Sequence, residues 1–151
     1  MKEPSISVFS TDSRFMQVFV DNLAQHFPFQ PIRGVNRLAK LFGGLSIDHQ
    51  PQLIFVDFSK PNLLSKIHLL KLYQSFPEAE LVVILEEETP GRIFEFIQAG
   101  ASGYLLKGNW EEVLPTLLEN IADQKTLISP TVSRYLIDRF KHKKDMVYNL
   151  G

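Results

Sequence analysis

Along this chain the spacing of apolar residues keeps changing between the continuous or alternating pattern of a buried strand and the three-to-four-residue pattern of a helix. The architecture that accommodates so many changes in a short length is a series of βα units wound about a parallel sheet. The run Leu81-Val82-Val83-Ile84-Leu85 marks it most clearly, because a strand without a polar face must be covered on both sides. Further strands are expected at Ile6 to Ser10, Gln52 to Val56 and Gly103 to Leu106. A run at Phe29 to Ile32 follows Pro28 and is interrupted by Pro31, which confines it to a sheet edge or to no strand at all.

The intervening segments carry helix signals. Asp12 or Ser13 can cap a helix whose Phe15, Phe19 and Leu23, with Met16 and Val20, form one apolar stripe. Leu38, Leu41 and Phe42 suggest a short helix that Gly43-Gly44 ends, and Leu63, Ile67, Leu70 and Tyr73 the inner face of a third. Thr89-Pro90 opens a fourth with Ile93, Phe96 and Ile97 inward, and Gly100 supplies the left-handed residue that stops it. Asn109 and Glu112 have the spacing of a capping box for a helix through Ile121, which Pro115 should bend. Ser129-Pro130 opens a last helix with Val132, Leu136 and Phe140 on one face, and the polar run Lys141 to Asp145 reads as linker. The expectation is an α/β fold, a doubly wound five-stranded parallel sheet with an extra C-terminal helix. Residues 1–124 form the domain, and residues 125–151 the C-terminal helix and linker.

Such folds gather their chemistry at the carboxyl ends of the strands. Asp57 ends the run Phe55-Val56-Asp57, and Lys107 ends the run from Gly103 to Leu106. A carboxylate and a lysine facing one crevice suit a phosphoaspartate switch, in which the first accepts a phosphoryl group and the second holds it. Competing chemistry is missing: there is no Gly-rich phosphate loop, no Ser-His-Asp set and no zinc motif, and the four histidines show no ligand spacing. An enzyme acting on external substrates is not expected.

These residues resemble the receiver domain of two-component response regulators, in the LuxR-type (NarL/FixJ-like) subfamily whose receivers precede a helix-turn-helix. The resemblance covers roughly residues 5 to 122. Asp57 matches the phosphoacceptor, Pro61 the proline four residues later, Lys107 the phosphate-pairing lysine and Tyr104 the switch aromatic. Gly100-Ala101-Ser102-Gly103-Tyr104-Leu105 matches the stretch that leads into the fifth strand. The resemblance implies the flavodoxin-like receiver fold for residues 1–124. It also implies a magnesium ion at Asp12, Asp57 and the backbone carbonyl of Ser59, and input from a sensor histidine kinase or a small phosphodonor. Its output surface would run from Ile93 to Leu118, where family members commonly form homodimers. DNA would be met only through an output domain absent from this chain.

Two departures make it an atypical receiver. Family members carry two adjacent acids after the first strand, where this chain has Thr11-Asp12-Ser13, so magnesium is expected at reduced affinity. Leu85 stands where a Thr or Ser hydroxyl normally bonds the phosphoryl group, and leucine cannot donate. The alternative is a pseudo-receiver, a phosphorylation-independent interaction or dimerisation module.

Composition agrees with a single domain. The 151 residues are 44% hydrophobic, enough for one core, and 16 Lys and Arg against 17 Asp and Glu leave a net charge of -1. A surface so balanced has no general attraction for nucleic acid. The absence of cysteine excludes disulfides and thiolate metal sites and fits the reducing cytoplasm. No signal core follows Met1, and no apolar run has the length of a membrane span, so a soluble protein is expected.

Overall fold

The computed structural model describes residues 5–37, 39–40, 50–60, 64–125 and 128–149, the last eight by backbone alone. Its strands are β1 (Ser5–Phe9), β2 (Ile32–Val35), β3 (Pro51–Asp57), β4 (Glu80–Leu85) and β5 (Gly103–Leu106). They pair in parallel in the order β2-β1-β3-β4-β5, with Phe9 opposite Val56, Asp57 opposite Ile84 and Leu85 opposite Leu106. The described helices are α1 (Ser13–His26), α2 (Lys66–Ser75), α3 (Pro90–Gln98), α4 (Trp110–Ala122) and α5 (Pro130–Asn149). The chain winds outward in one direction to β2 and then in the other through β3, β4 and β5, so the winding reverses beside β1. A doubly wound sheet places its crevice at that reversal.

Alternation along the strands feeds two apolar layers. Leu53, Phe55, Val82 and Ile84 join Phe19 and Leu23 of α1 and Trp110, Leu114 and Leu117 of α4. Ile54, Val56, Leu81, Val83 and Leu85 join Leu69 and Leu72 of α2, Ile93 and Phe96 of α3 and Val132 of α5. The first layer is aromatic at its centre, where the Phe19 ring lies 4.9 Å from Phe55, 4.8 Å from Trp110 and 5.4 Å from Phe15. Gly100 has φ of 113°, and a Cβ there would come within 2.6 Å of the Tyr73 ring, so both backbone and space require glycine.

Several sequence expectations shift. The edge strand is Ile32–Val35 rather than Phe29 to Ile32. Pro31 ends the turn and offers its carbonyl to the Ile6 N–H, while Phe29 is 97% exposed. In α2 the inward residues are Leu69 and Leu72, and Ile67, Leu70 and Tyr73 face solvent. Asn109 precedes α4 without a side-chain cap, so the capping box with Glu112 does not form, and Pro115 lies within the helix. In α5 Val132 is fully buried but Phe140 is 70% exposed, and Lys141 to Asp145 continue the helix instead of forming a linker. The expected short helix at Leu38, Leu41 and Phe42, the matched Pro61 and Leu63 of the third expected helix lie outside the described residues.

Candidate functional site

Because β1 and β3 are neighbours in register, the residues that follow Phe9 and Val56 emerge side by side at the carboxyl edge. They are Ser10 and Asp57, and both are buried. The Ser10 hydroxyl donates to Asp57 Oδ2 at 2.7 Å, the Lys107 ammonium lies 3.1 Å from the same oxygen, and the Ser59 N–H donates to Oδ1 at 2.9 Å. Every oxygen of the carboxylate therefore has a donor, which is what a buried charge requires. Lys107 also lies 3.4 Å from Asp12 Oδ2 and 4.6 Å above the Phe15 ring, so its ammonium is held by two anions and an aromatic face.

Asp12 serves two neighbours at once. Its Oδ1 accepts the Phe15 N–H at 3.1 Å and caps α1, while Oδ2 faces Lys107. The Phe15 N–H is the chief cause that holds the Asp12 carboxyl below its ordinary value of 3.8; burial opposes it, and Lys107 lowers the carboxyl further. A carboxylate with a lowered pKa stabilises the fold above its ordinary value and loses that contribution as pH falls through the lowered one. Asp12→Ala should therefore cost about 1 kcal/mol at neutral pH. The gap from the unchanged chain should close as the solution is taken below pH 3.8, as followed by urea unfolding at each pH.

The other expected site residues separate into two groups. Asp57, Lys107, Asp12 and the Ser59 backbone meet at the crevice. Leu85 does not: its side chain is fully buried in the layer with Ile93 and Tyr104, and only its carbonyl reaches the site, accepting the Lys107 N–H at 2.9 Å. Tyr104 lies in β5 with its hydroxyl donating to Glu88 at 3.0 Å and accepting the Ser129 N–H at 3.2 Å. Burial is the chief cause that pushes this hydroxyl's pKa above 10.0. Glu86 and Glu87 are exposed, and Glu88 is turned toward Tyr104.

Two contributors escaped the sequence reading. Ser10, rather than Thr11, stands beside Asp57, while Thr11 is exposed. The one available signal was its place as the final residue of the β1 run. Arg92 in the first turn of α3 donates to the Phe58 carbonyl at 2.8 Å and lies over the Phe96 ring, tying α3 to the loop after Asp57. Among the described residues no three His, Asp or Glu side chains gather in a way that would hold a metal ion. No helix in the described residues is long and apolar enough to cross a membrane.

No family model matches the chain. It is 27% identical over 95 residues to the oxygen regulatory protein NreC of Staphylococcus carnosus, an alignment covering 62% of this chain and 44% of that protein. The chain thus spans about half the length of the curated relatives it matches. Among solved structures it is similar to a LuxR family DNA-binding response regulator from Silicibacter pomeroyi. That match has a TM-score of 0.71 and 17% identity and covers 85% of this chain and 98% of the other. It is also similar to the isolated receiver domain of RcsB from Salmonella enterica with the phosphomimetic BeF3-. Here the TM-score is 0.69 at 14% identity, with 88% of this chain and 98% of the other covered. By sequence its homologues are response regulators of the NreC and NarL type, and by structure it has the flavodoxin-like receiver fold of LuxR-family regulators.

Proposed function

We propose that the chain is the receiver half of a response regulator in which Asp57 accepts a phosphoryl group. The observation that carries this reading is the Lys107 ammonium 3.1 Å from the buried Asp57 carboxylate, at the carboxyl edge of the sheet. An oxygen of Asp57 attacks phosphorus, and the bond from phosphorus to the donor's nitrogen or oxygen breaks with its electron pair leaving on the donor. Lys107 offsets the negative charge gathered as the two anions meet. A sensor histidine kinase or a small acyl phosphate is the donor. Output passes to a second copy of the chain, and to DNA only through a separate C-terminal output domain, in the cytoplasm. No reaction on an external substrate is assigned to the crevice.

The residues suit magnesium only at low affinity. Asp12 and Asp57 offer hard oxygens, with the Ser59 carbonyl as a third, but two carboxylates against the one ammonium of Lys107 leave a charge of only -1 in the pocket. When bound, the ion would supply further positive charge opposite the phosphoryl oxygens. Leu85 supports the second reading, a phosphorylation-independent interaction module, since its buried side chain offers the phosphoryl group no donor.

Intact mass after incubation with acetyl phosphate and magnesium separates the two. A phosphate-sized gain in the unchanged chain that is lost in Asp57→Asn is expected. A chain that gains nothing at saturating donor would sink the phosphoacceptor reading.

A further inference from the structure

The face of α3 that points away from the sheet is covered in part by the chain's own C-terminal helix. The Phe94 and Tyr135 rings lie 6.2 Å apart, and the Arg139 guanidinium sits over both, 5.4 Å from the first and 5.9 Å from the second. Gly91 leaves room for the Tyr135 hydroxyl, which a Cβ would meet at 3.3 Å. The apolar contact is modest: Val132 is the one fully buried side chain of α5 among those described, Leu136 packs partly buried against the same layer, and Ile137 and Phe140 are exposed.

What fixes the start of α5 is polar and closed. Glu88 accepts the Tyr104 hydroxyl on Oε2 at 3.0 Å and the Ser129 hydroxyl on Oε1 at 2.8 Å. The Ser129 N–H donates to the Tyr104 oxygen at 3.2 Å, and the Ser129 Oγ accepts the Val132 N–H at 3.2 Å, capping the helix. The three residues come from β5, the loop after β4 and the entry to α5, and each one bonds both others. Two of the bonds end on a carboxylate, the stronger kind.

We propose that Tyr104, Glu88 and Ser129 form a latch that holds α5 on α3, so that the position of the C-terminal helix is the output of this domain. The hydroxyl of Tyr104 is bonded both to the loop after β4, at Glu88, and to the entry of the helix, at Ser129. Leu85 removes the hydroxyl that would pull that loop toward Asp57. The loop bearing Glu88 is instead bounded by two ties to the crevice. On one side the Lys107 N–H holds the Leu85 carbonyl, and on the other Arg92 holds the Phe58 carbonyl. A shift of either tie moves Glu88 and leaves Ser129 without its acceptor. The bonds of the latch do not themselves require Asp57 to accept a phosphoryl group.

Hydrogen exchange read by mass spectrometry on the 151-residue chain tests it. Tyr104→Phe keeps the ring and loses the hydroxyl, and Glu88→Ala removes both acceptors without touching the Ser129 cap. Each should speed exchange of the α5 amides from Ser133 to Lys141 by about tenfold, with the amides of β3 and β4 unchanged. The double variant should exchange no faster than the faster single one, because one broken bond already opens the set. Wild-type exchange in α5 for both single variants, or accelerations that multiply in the double variant, would overturn the latch.

Discussion

Replacing Ser10 with aspartate is expected to raise the affinity of the crevice for Mg2+ by at least about tenfold over the unchanged chain, as read by titration calorimetry. The new carboxylate would occupy the place of a hydroxyl that now lies 2.7 Å from Asp57 Oδ2. Two carboxylates and one ammonium would become three and one, taking the local charge from -1 to -2, which a divalent ion balances. The same change has a cost in the absence of metal. Asp57 is 7% exposed, and a second anion beside it has one lysine to share, so the variant should melt below the unchanged chain and recover as Mg2+ is added. Equal affinities in the two chains would show that the serine is not what limits cation binding here.

Phe19→Ala should be the most damaging single truncation in the layer beneath α1, costing about 3–5 kcal/mol. Its ring is fully buried and meets Phe15, Phe55 and Trp110 at centroid distances of 5.4, 4.9 and 4.8 Å. The cavity would open between the sheet, α1 and α4 at once, so no single neighbour can relax into it. Against a typical domain stability of about 5–15 kcal/mol the loss is large. Trp110, the chain's one tryptophan, touches the site of the change and reports it by fluorescence. The urea midpoint should fall with the slope unchanged. A shift worth less than about 1 kcal/mol would mean that α1 is not seated on the sheet as described.

The strands and most helices were readable in the chain because their signals are local. The unbroken apolar run of β4, the stripe of Phe19 and Leu23, and Gly100 each satisfy one requirement that no neighbour can change. The face of α2 was not readable. Lys66 to Ser75 carries apolar residues on two sides, at Ile67, Leu70 and Tyr73 and at Leu69 and Leu72, and both sets fit a helical period. The sheet and α3 decide between them. Asp57 and Lys107 were legible because a charge ending an apolar strand is conspicuous, whereas Ser10 is small, neutral and common at strand ends. The partners of Tyr104 were hidden for a different reason: Glu88 and Ser129 lie 16 and 25 positions away along the chain, and no period links them to it.

The sheet ends in its two shortest strands. β2 and β5 have four residues each, while the strands between them have five to seven. An edge strand is a template onto which a foreign strand can add, and its appeal grows with the length of unpaired backbone it offers. Here one edge carries Arg33 and an exposed Gly34. Beside the other, Ile128, Ser129 and Pro130 line the same groove as Tyr104, Leu105 and Leu106. In a chain whose inner strands are mostly apolar, margins this short leave little unpaired backbone for a foreign strand, a safeguard that rests on where the strands stop rather than on what they contain.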